Sequence, residues 1–203
     1  MSTRMDAFSM SENAKRPEIV VFAGPNGSGK STITGAEWIK GVYINADDIQ
    51  RERGITVEEA AKIADEMREK QLSSRTDFTF ETVLSSPHKL KFLREAKRCG
   101  YFIRGYFILT NDPALNVARV MARVATGLHD VPAETVIRRY HRSLANIPEY
   151  LTLCDICHIY DNTDDEPFRI CRKHKNDINL YPNDNWSKEA ITNLVFGQNG
   201  KTE

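Results

Sequence analysis

The sequence predicts an α/β domain, a mostly parallel sheet flanked by helices, and three observations carry that expectation. Short β-branched runs ending in Gly, Asn or Thr alternate with longer amphipathic segments. The first run, "EIVVFAG" at 18–24, passes straight into the glycine-rich stretch "GPNGSGKST". The second run, "GVYIN" at 41–45, closes a strand–turn–helix–strand unit of the kind that parallel strands require.

The elements follow in order. Residues 1–17 are polar and aperiodic, which predicts a flexible N-terminal segment ahead of one domain over 18–203. After the glycine-rich loop, "KSTITGAEWIK" is expected to run as a helix. The stretch 56–72 places Val57, Ala61, Ala64 and Met67 at helical spacing. "DFTFETVL" predicts a third strand from about 77 to 83, and "PHKLKFLREAKRCG" a helix that stops at Gly100. "YFIRGYFILT", 101–110, is the strongest strand signal, and "DPALNVARVMARVA" opens as a helix on a cap and a proline. "TGLHDVP", 126–132, is a glycine- and proline-marked connector. A helix from 133 to about 147 should present Ile137, Tyr140, Leu144 and Ile147 on one face. "DICHIYDN" and "PFRICRKH" read as strands, and 185–197 as a closing helix.

Bulk properties narrow the function classes. The chain has 203 residues, enough for one well-cored domain, with 28 Lys plus Arg against 28 Asp plus Glu. That neutral balance argues against a dedicated nucleic-acid binder. No apolar run is long enough for a membrane span, and the start does not resemble a signal peptide. The four cysteines are sparse for a disulfide framework, so a reduced, cytoplasmic protein is expected. "CDICH" matches a haem-attachment string, and Cys154, Cys157, Cys171 and His174 can be written as a zinc set. In a strand, however, side chains three apart leave on opposite faces, so buried thiols are the expectation.

The chemistry starts at the loop. "GPNGSGKST" fits G-x-x-x-x-G-K-[ST], the phosphate-binding loop of P-loop NTPases. It runs from Gly24 through Pro25, Asn26, Gly27, Ser28, Gly29, Lys30 and Ser31 to Thr32. Gly27 and Gly29 permit the tight turn, Lys30 should reach the β- and γ-phosphates, and the Ser31 hydroxyl should help hold Mg²⁺. No N-K-x-D tetrad follows, which favours ATP over GTP. Ligands of open α/β sheets sit beyond the carboxyl ends of the strands, and three acids fall there: Asp47, Asp48 and Glu81. Asp47 is expected as the base that takes the acceptor proton, Asp48 as the cap of a helix starting near Ile49, and Glu81 as the acid that orients the acceptor. Arg119 and Arg123 share one helix face. Arg138 and Arg142 repeat the spacing on the next helix, with Arg139 beside them. Arginines closing over a transferring phosphoryl group stabilise its charge, and the connector between the two helices has the punctuation of a lid.

The ordered set "GPNGSGKST", "INADDI", "FTFETVLSS", "GYFIRGYFILT", "ARVMARVATGLHDVP", "RRYHRSL" and "IYDNT" resembles the zeta-toxin family of P-loop kinases over about residues 18–165. Within it, the chain resembles the compact bacterial branch labelled predicted ABC-type ATPases. The resemblance implies an adenylate-kinase-like core with a helical lid, ATP and Mg²⁺ as cofactors, and phosphorylation of the 3′-hydroxyl of UDP-N-acetylglucosamine. It also implies a toxin held by an antitoxin protein. Lys30 matches the phosphate-binding lysine, Asp47 the catalytic base and Glu81 the sugar-contacting acid, with the lid arginine at Arg119 or Arg123. Glu81 is followed by Thr82 and Val83 where better-known members carry Gly-Thr. His129 stands near the second lid arginine, with Arg138 and Arg139 one helix later; Thr82, Asp48, His129, Arg138 and Arg139 complete the expected substrate-binding set. Two other outcomes fit the same loop: a regulatory ATPase acting through a protein partner, and a kinase for another hydroxyl acceptor.

Overall fold

The structure, a computed structural model, describes residues 16–34, 38–124 and 131–197. Seven strands form one sheet: β1 (Glu18–Ala23), β2 (Val42–Ile44), β3 (Phe78–Thr82), β4 (Phe102–Leu109), β5 (Ile156–Asp161), β6 (Phe168–His174) and β7 (Asp177–Leu180). Their order is β2-β3-β1-β4-β5-β6-β7. The first five pair in parallel and the last two antiparallel. The chain winds to one side of β1 through β2 and β3, then crosses to the other through β4 and β5. That reversal opens a crevice at the carboxyl end of β1. β1 is apolar almost throughout because it is central and covered on both faces.

The helices are α1 (Lys30–Ile33), α2 (Ala46–Arg53), α3 (Val57–Ser74), α4 (Pro87–Arg98), α5 (Pro113–Val124), α6 (Ala133–Ala145), α7 (Ile147–Leu153) and α8 (Lys188–Phe196). The main core lies on one sheet face. Phe78 and Phe80 meet Phe92 and Tyr101 edge-on there, and α3, α4, α7 and α8 contribute Ala64, Leu93, Tyr150 and Ile191. A smaller cluster of Val20, Phe22, Tyr106 and Ile108 occupies the opposite face. Arg16 and Pro17, expected in the flexible lead-in, are already tied down: Arg16 Nε donates to Gly100 O at 3.0 Å, and Pro17 O accepts from Phe102 N at 2.8 Å.

Several elements differ from expectation, each for a physical reason. The helix after the phosphate loop is described only to Ile33, and Thr34 leaves helical geometry at ψ 85. Thr32, Ile33 and Thr34 are β-branched and Gly35 follows, a poor run for a helix. The helix expected over 133–147 ends at Ala145, because Pro148 would clash with an unbroken helix and instead starts α7. Its buried positions are Val136, Tyr140 and Ser143, while Ile137 is exposed. On α3 the buried positions are Ala60, Ala64 and Arg68; Val57 and Ala61 face the cleft described below. β7 was not expected from its polar sequence; it pairs as a hairpin through Lys175, which takes φ 56.

The cysteines are free thiols, as expected. The alternation argument nevertheless fails for Cys154, which precedes β5 and is a neighbour of Cys157 in the core. Burial pushes the Cys157 thiol well up and that of Cys171 to about 12, so both stay protonated. Among the described residues no helix is long and apolar enough to cross a membrane.

Candidate active site

The loop between β1 and α1 is shaped by two glycines and clamped by two asparagines. Gly27 and Gly29 take φ 74 and 85. A Cβ at Gly27 would lie 2.5 Å from Asn116 O, and one at Gly29 would lie 2.1 Å from Asn162 Nδ2, so only glycine fits either position. Asn116, from α5, donates through Nδ2 to Asn26 O at 2.7 Å, with Thr110 Oγ1 on its Oδ1. Asn162, just after β5, donates through Nδ2 to Ser28 O at 2.8 Å. Gly24 N donates to Thr82 O, Ser28 N to Pro25 O, and Thr32 N to Gly29 O. The exposed start of α1 leaves helix-end N–H groups at Lys30 and Ser31 for an anion, so the loop fits a nucleotide's phosphates.

Lys30 Nζ is folded onto its own loop, donating to Gly24 O at 2.9 Å and Pro25 O at 3.0 Å. Burial pushes its ammonium down; Glu81 and Asp47 pull it back up, and Arg123 adds to the depression. Those three side chains are therefore the charges that Lys30 senses.

The acids come from the ends of β2 and β3. The α2 cap is Asn45, whose Oδ1 accepts from Asp47 N at 2.9 Å. Asp48 is therefore not the cap, and the helix starts three residues before Ile49. Asp47 and Asp48 both sit in its first turn, where negative charge is favoured. Asp48 pairs with Arg51 at 2.5 Å. Glu81 Oε1 accepts from Tyr43 Oη at 2.6 Å and lies 3.2 Å from Thr34 Oγ1. Asn45 Nδ2 donates to Tyr43 Oη at 3.2 Å. Burial, then the bond to Glu81, pushes the Tyr43 phenol far up, so Tyr43 stays a donor that fixes the carboxylate. Thr82 spends its hydroxyl on Leu84 N at 3.0 Å, and Leu84 adopts φ 56. The turn is pinned from α6, where Ser143 Oγ donates to Val83 O at 2.6 Å, and from Asn146, whose Nδ2 donates to Leu84 O at 2.8 Å.

The arginines divide. Arg123 and Arg139 line the cleft, and Arg139 Nη1 donates to Asn26 Oδ1 at 3.3 Å. Arg119 is held on backbone instead, donating to Asn162 O at 2.8 Å and Thr163 O at 3.2 Å. Arg138 is exposed and turned to Thr135 Oγ1. His129, in the connector expected to act as a lid, lies outside the described residues.

These groups border one cleft of about 900 Å³, near the upper end for small-molecule sites. It brings together Lys30, Ser31, Asp47, Asp48, Glu81, Thr82, Arg123 and Arg139. Ile55, Val57 and Ala61 give it an apolar wall, and Arg68 and Lys89 also line it. Sequence reasoning missed Tyr43, Asn45, Asn116 and Asn162. Asn45 and Asn162 had a signal, standing in the motifs "INADDI" and "IYDNT"; Tyr43 and Asn116 had none. Among the described residues no three His, Cys, Asp or Glu side chains are arranged to hold a metal by themselves. The donor set fits Mg²⁺ held chiefly through nucleotide phosphates, with the Ser31 hydroxyl beside them.

A phosphate loop at the switch point, with carboxylates from two neighbouring strand ends in the same cleft, defines a P-loop phosphotransferase that acts on a hydroxyl acceptor. The chain belongs to the zeta toxin family, whose sequence profile matches residues 3–185. It is 27% identical over 128 residues to an uncharacterised protein of Haemophilus influenzae, a match spanning 60% of this chain and 91% of that one. It is similar in fold to a structure from the PezAT chromosomal toxin–antitoxin system of Streptococcus pneumoniae. The TM-score is 0.60 at 18% identity, covering 94% of this chain and 83% of that one. The AvrRxo1-ORF1:-ORF2 complex with ATP is similar at TM-score 0.67 and 16% identity, covering 93% of this chain and 66% of the other.

Proposed function

We propose that the protein transfers the γ-phosphoryl of ATP to a sugar hydroxyl, the 3′-hydroxyl of UDP-N-acetylglucosamine. The observation that carries this reading is the placing of Asp47 and Glu81 around Lys30 in one cleft. Two carboxylates beside the phosphate loop supply both a proton acceptor and an orienting hydrogen-bond acceptor for a hydroxyl.

In this mechanism Lys30 leaves the Gly24 and Pro25 carbonyls for the β- and γ-phosphate oxygens. Glu81, fixed by Tyr43, receives a hydrogen bond from the acceptor and holds its hydroxyl in line. Asp47 accepts the hydroxyl proton as the new O–P bond forms and the bond to ADP breaks. Arg123 and Arg139 face the charge spreading over the equatorial oxygens. Ser31 would hold Mg²⁺, which when bound neutralises phosphate charge. Arg119 shapes the loop after β5 rather than touching the reacting group.

The neighbours' toxin–antitoxin and ORF1:ORF2 complexes support an antitoxin-like partner for this chain, and the reading places it in the cytoplasm. The test is incubation with Mg-ATP and a panel of UDP-sugars, read by mass spectrometry. A gain of one phosphate on UDP-N-acetylglucosamine is the expected result. ADP with no phosphorylated sugar would overturn the reading in favour of a regulatory ATPase.

A further inference from the structure

One end of the cleft carries positive charge that phosphoryl transfer, as described above, does not use. Arg68, from α3, is 3% exposed and lines the cleft. Its guanidinium lies over the Phe80 ring at 5.2 Å, one Nη bonds Asp65 Oδ1, and its Nε has no hydrogen-bond partner. Lys89 reaches the same Asp65 oxygen from α4, and His88 Nε2 lies 3.5 Å from it. One carboxylate oxygen thus serves two cations and an imidazole. Burial and the neighbouring Arg68 push the Lys89 ammonium down, against the pull of Asp65 and Glu69. Ser86, also on the cleft, is the N-cap of the twelve-residue α4 and makes no side-chain cap bond. The start of α4, where Pro87 has no N–H and the helix's own ladder does not use those of His88 and Lys89, therefore brings a positive dipole end beside the two cations.

We propose that Arg68, Lys89 and the N-terminus of α4 form an oxyanion subsite that takes a phosphate or diphosphate group carried by the acceptor. This rests on the kinase reading only in placing the acceptor at that end of the cleft. A buried guanidinium nitrogen without a partner favours a ligand that brings acceptor oxygens. Two cations sharing one carboxylate favour a ligand that brings negative charge.

The probe is inorganic pyrophosphate, titrated calorimetrically into the full chain with the phosphate loop filled by Mg²⁺ and a non-hydrolysable ATP analogue. One pyrophosphate site is expected. Lys89→Met should weaken it roughly ten- to a hundredfold, the scale of one charge-assisted hydrogen bond, with affinity for the analogue unchanged. Asp65→Asn should tighten it several-fold, a gain that a purely structural role for this cluster cannot give. Pyrophosphate binding indifferent to Lys89→Met, or weakened by Asp65→Asn, would overturn the subsite whatever the turnover. Acceptor assays separate the sources. Lys89→Met should raise KM for UDP-N-acetylglucosamine and not for N-acetylglucosamine; an effect also seen with N-acetylglucosamine 1-phosphate assigns a monophosphate. Absence of transfer to every acceptor, with pyrophosphate binding still sensitive to Lys89, would sink the kinase reading and leave the subsite standing.

Discussion

Asn116 is the most instructive residue to remove. It is fully buried on α5, its Nδ2 holds Asn26 O at 2.7 Å, and its Oδ1 faces Thr110 Oγ1. In Asn116→Ala the Thr110 hydroxyl can turn to Asp112 O, 3.3 Å away, but Asn26 O loses its donor. One orphaned carbonyl costs about 1–3 kcal/mol and a lost neutral hydrogen bond about 0.5–1.5 kcal/mol, so roughly 2–3 kcal/mol of stability should go. For a domain of this size that is a Tm lowered by roughly 4–12 °C. Because Asn26 opens the phosphate loop, about tenfold weaker MgATP binding should accompany it, the factor that 1.4 kcal/mol of loop distortion gives. Urea unfolding and calorimetric titration with MgATP read the two effects. A variant with wild-type unfolding midpoint and wild-type ATP affinity would refute the clamp.

Other outcomes follow from the same geometry. Asp47→Ala should abolish phosphoryl transfer while leaving MgATP affinity within about twofold, since a general base contributes roughly 10²–10⁴ to rate; unchanged kcat would remove it from that role. Arg123→Ala should lower kcat far more than it weakens ATP binding. Arg119→Ala should instead lower stability by about 1–2 kcal/mol, through the Asn162 and Thr163 carbonyls; the reverse pattern would exchange their roles. Burial, then Arg169, Arg172 and Arg104, holds the His158 imidazole down at about 4. Between pH 6.5 and 4 the unfolded chain binds a proton that the fold refuses, so stability should fall with falling pH in that window. The loss is about 1–2 kcal/mol once partial exposure is allowed for, and His158→Gln should flatten it. An unaltered slope would mean that His158 is not the titrating group.

The sequence shows strands and loop clearly because both are written locally. β1 carries the apolar run 19–23 and β4 the apolar run 106–109, and Gly27 and Gly29 stand at positions where the backbone needs φ above zero. Helix faces are less legible because a cleft imitates solvent or core depending on its occupant. Val57 and Ala61 are apolar yet exposed, while Arg68 is charged yet buried over Phe80. Pro148 was a visible stop signal, but Ile147, just before it, continued the apolar periodicity of α6 past that helix's end at Ala145. The carboxylates at strand ends were readable from position alone. Of their supports, Asn45 bonds locally, to Asp47 N and Tyr43 Oη, in a cap position that suits asparagine; Tyr43 and Asn116 act between separate elements, and no local pattern marks a side chain whose partner lies 38 or 90 residues away.

The central claim is that this cleft joins donor and acceptor. The most direct measurement is the ratio of ADP to phosphorylated sugar in one reaction of the full chain with Mg-ATP and UDP-N-acetylglucosamine, quantified by mass spectrometry. One phosphorylated UDP-sugar per ADP, absent in Asp47→Ala, is the predicted result. ADP accumulating without phosphorylated sugar, or a yield unchanged in Asp47→Ala, would contradict it.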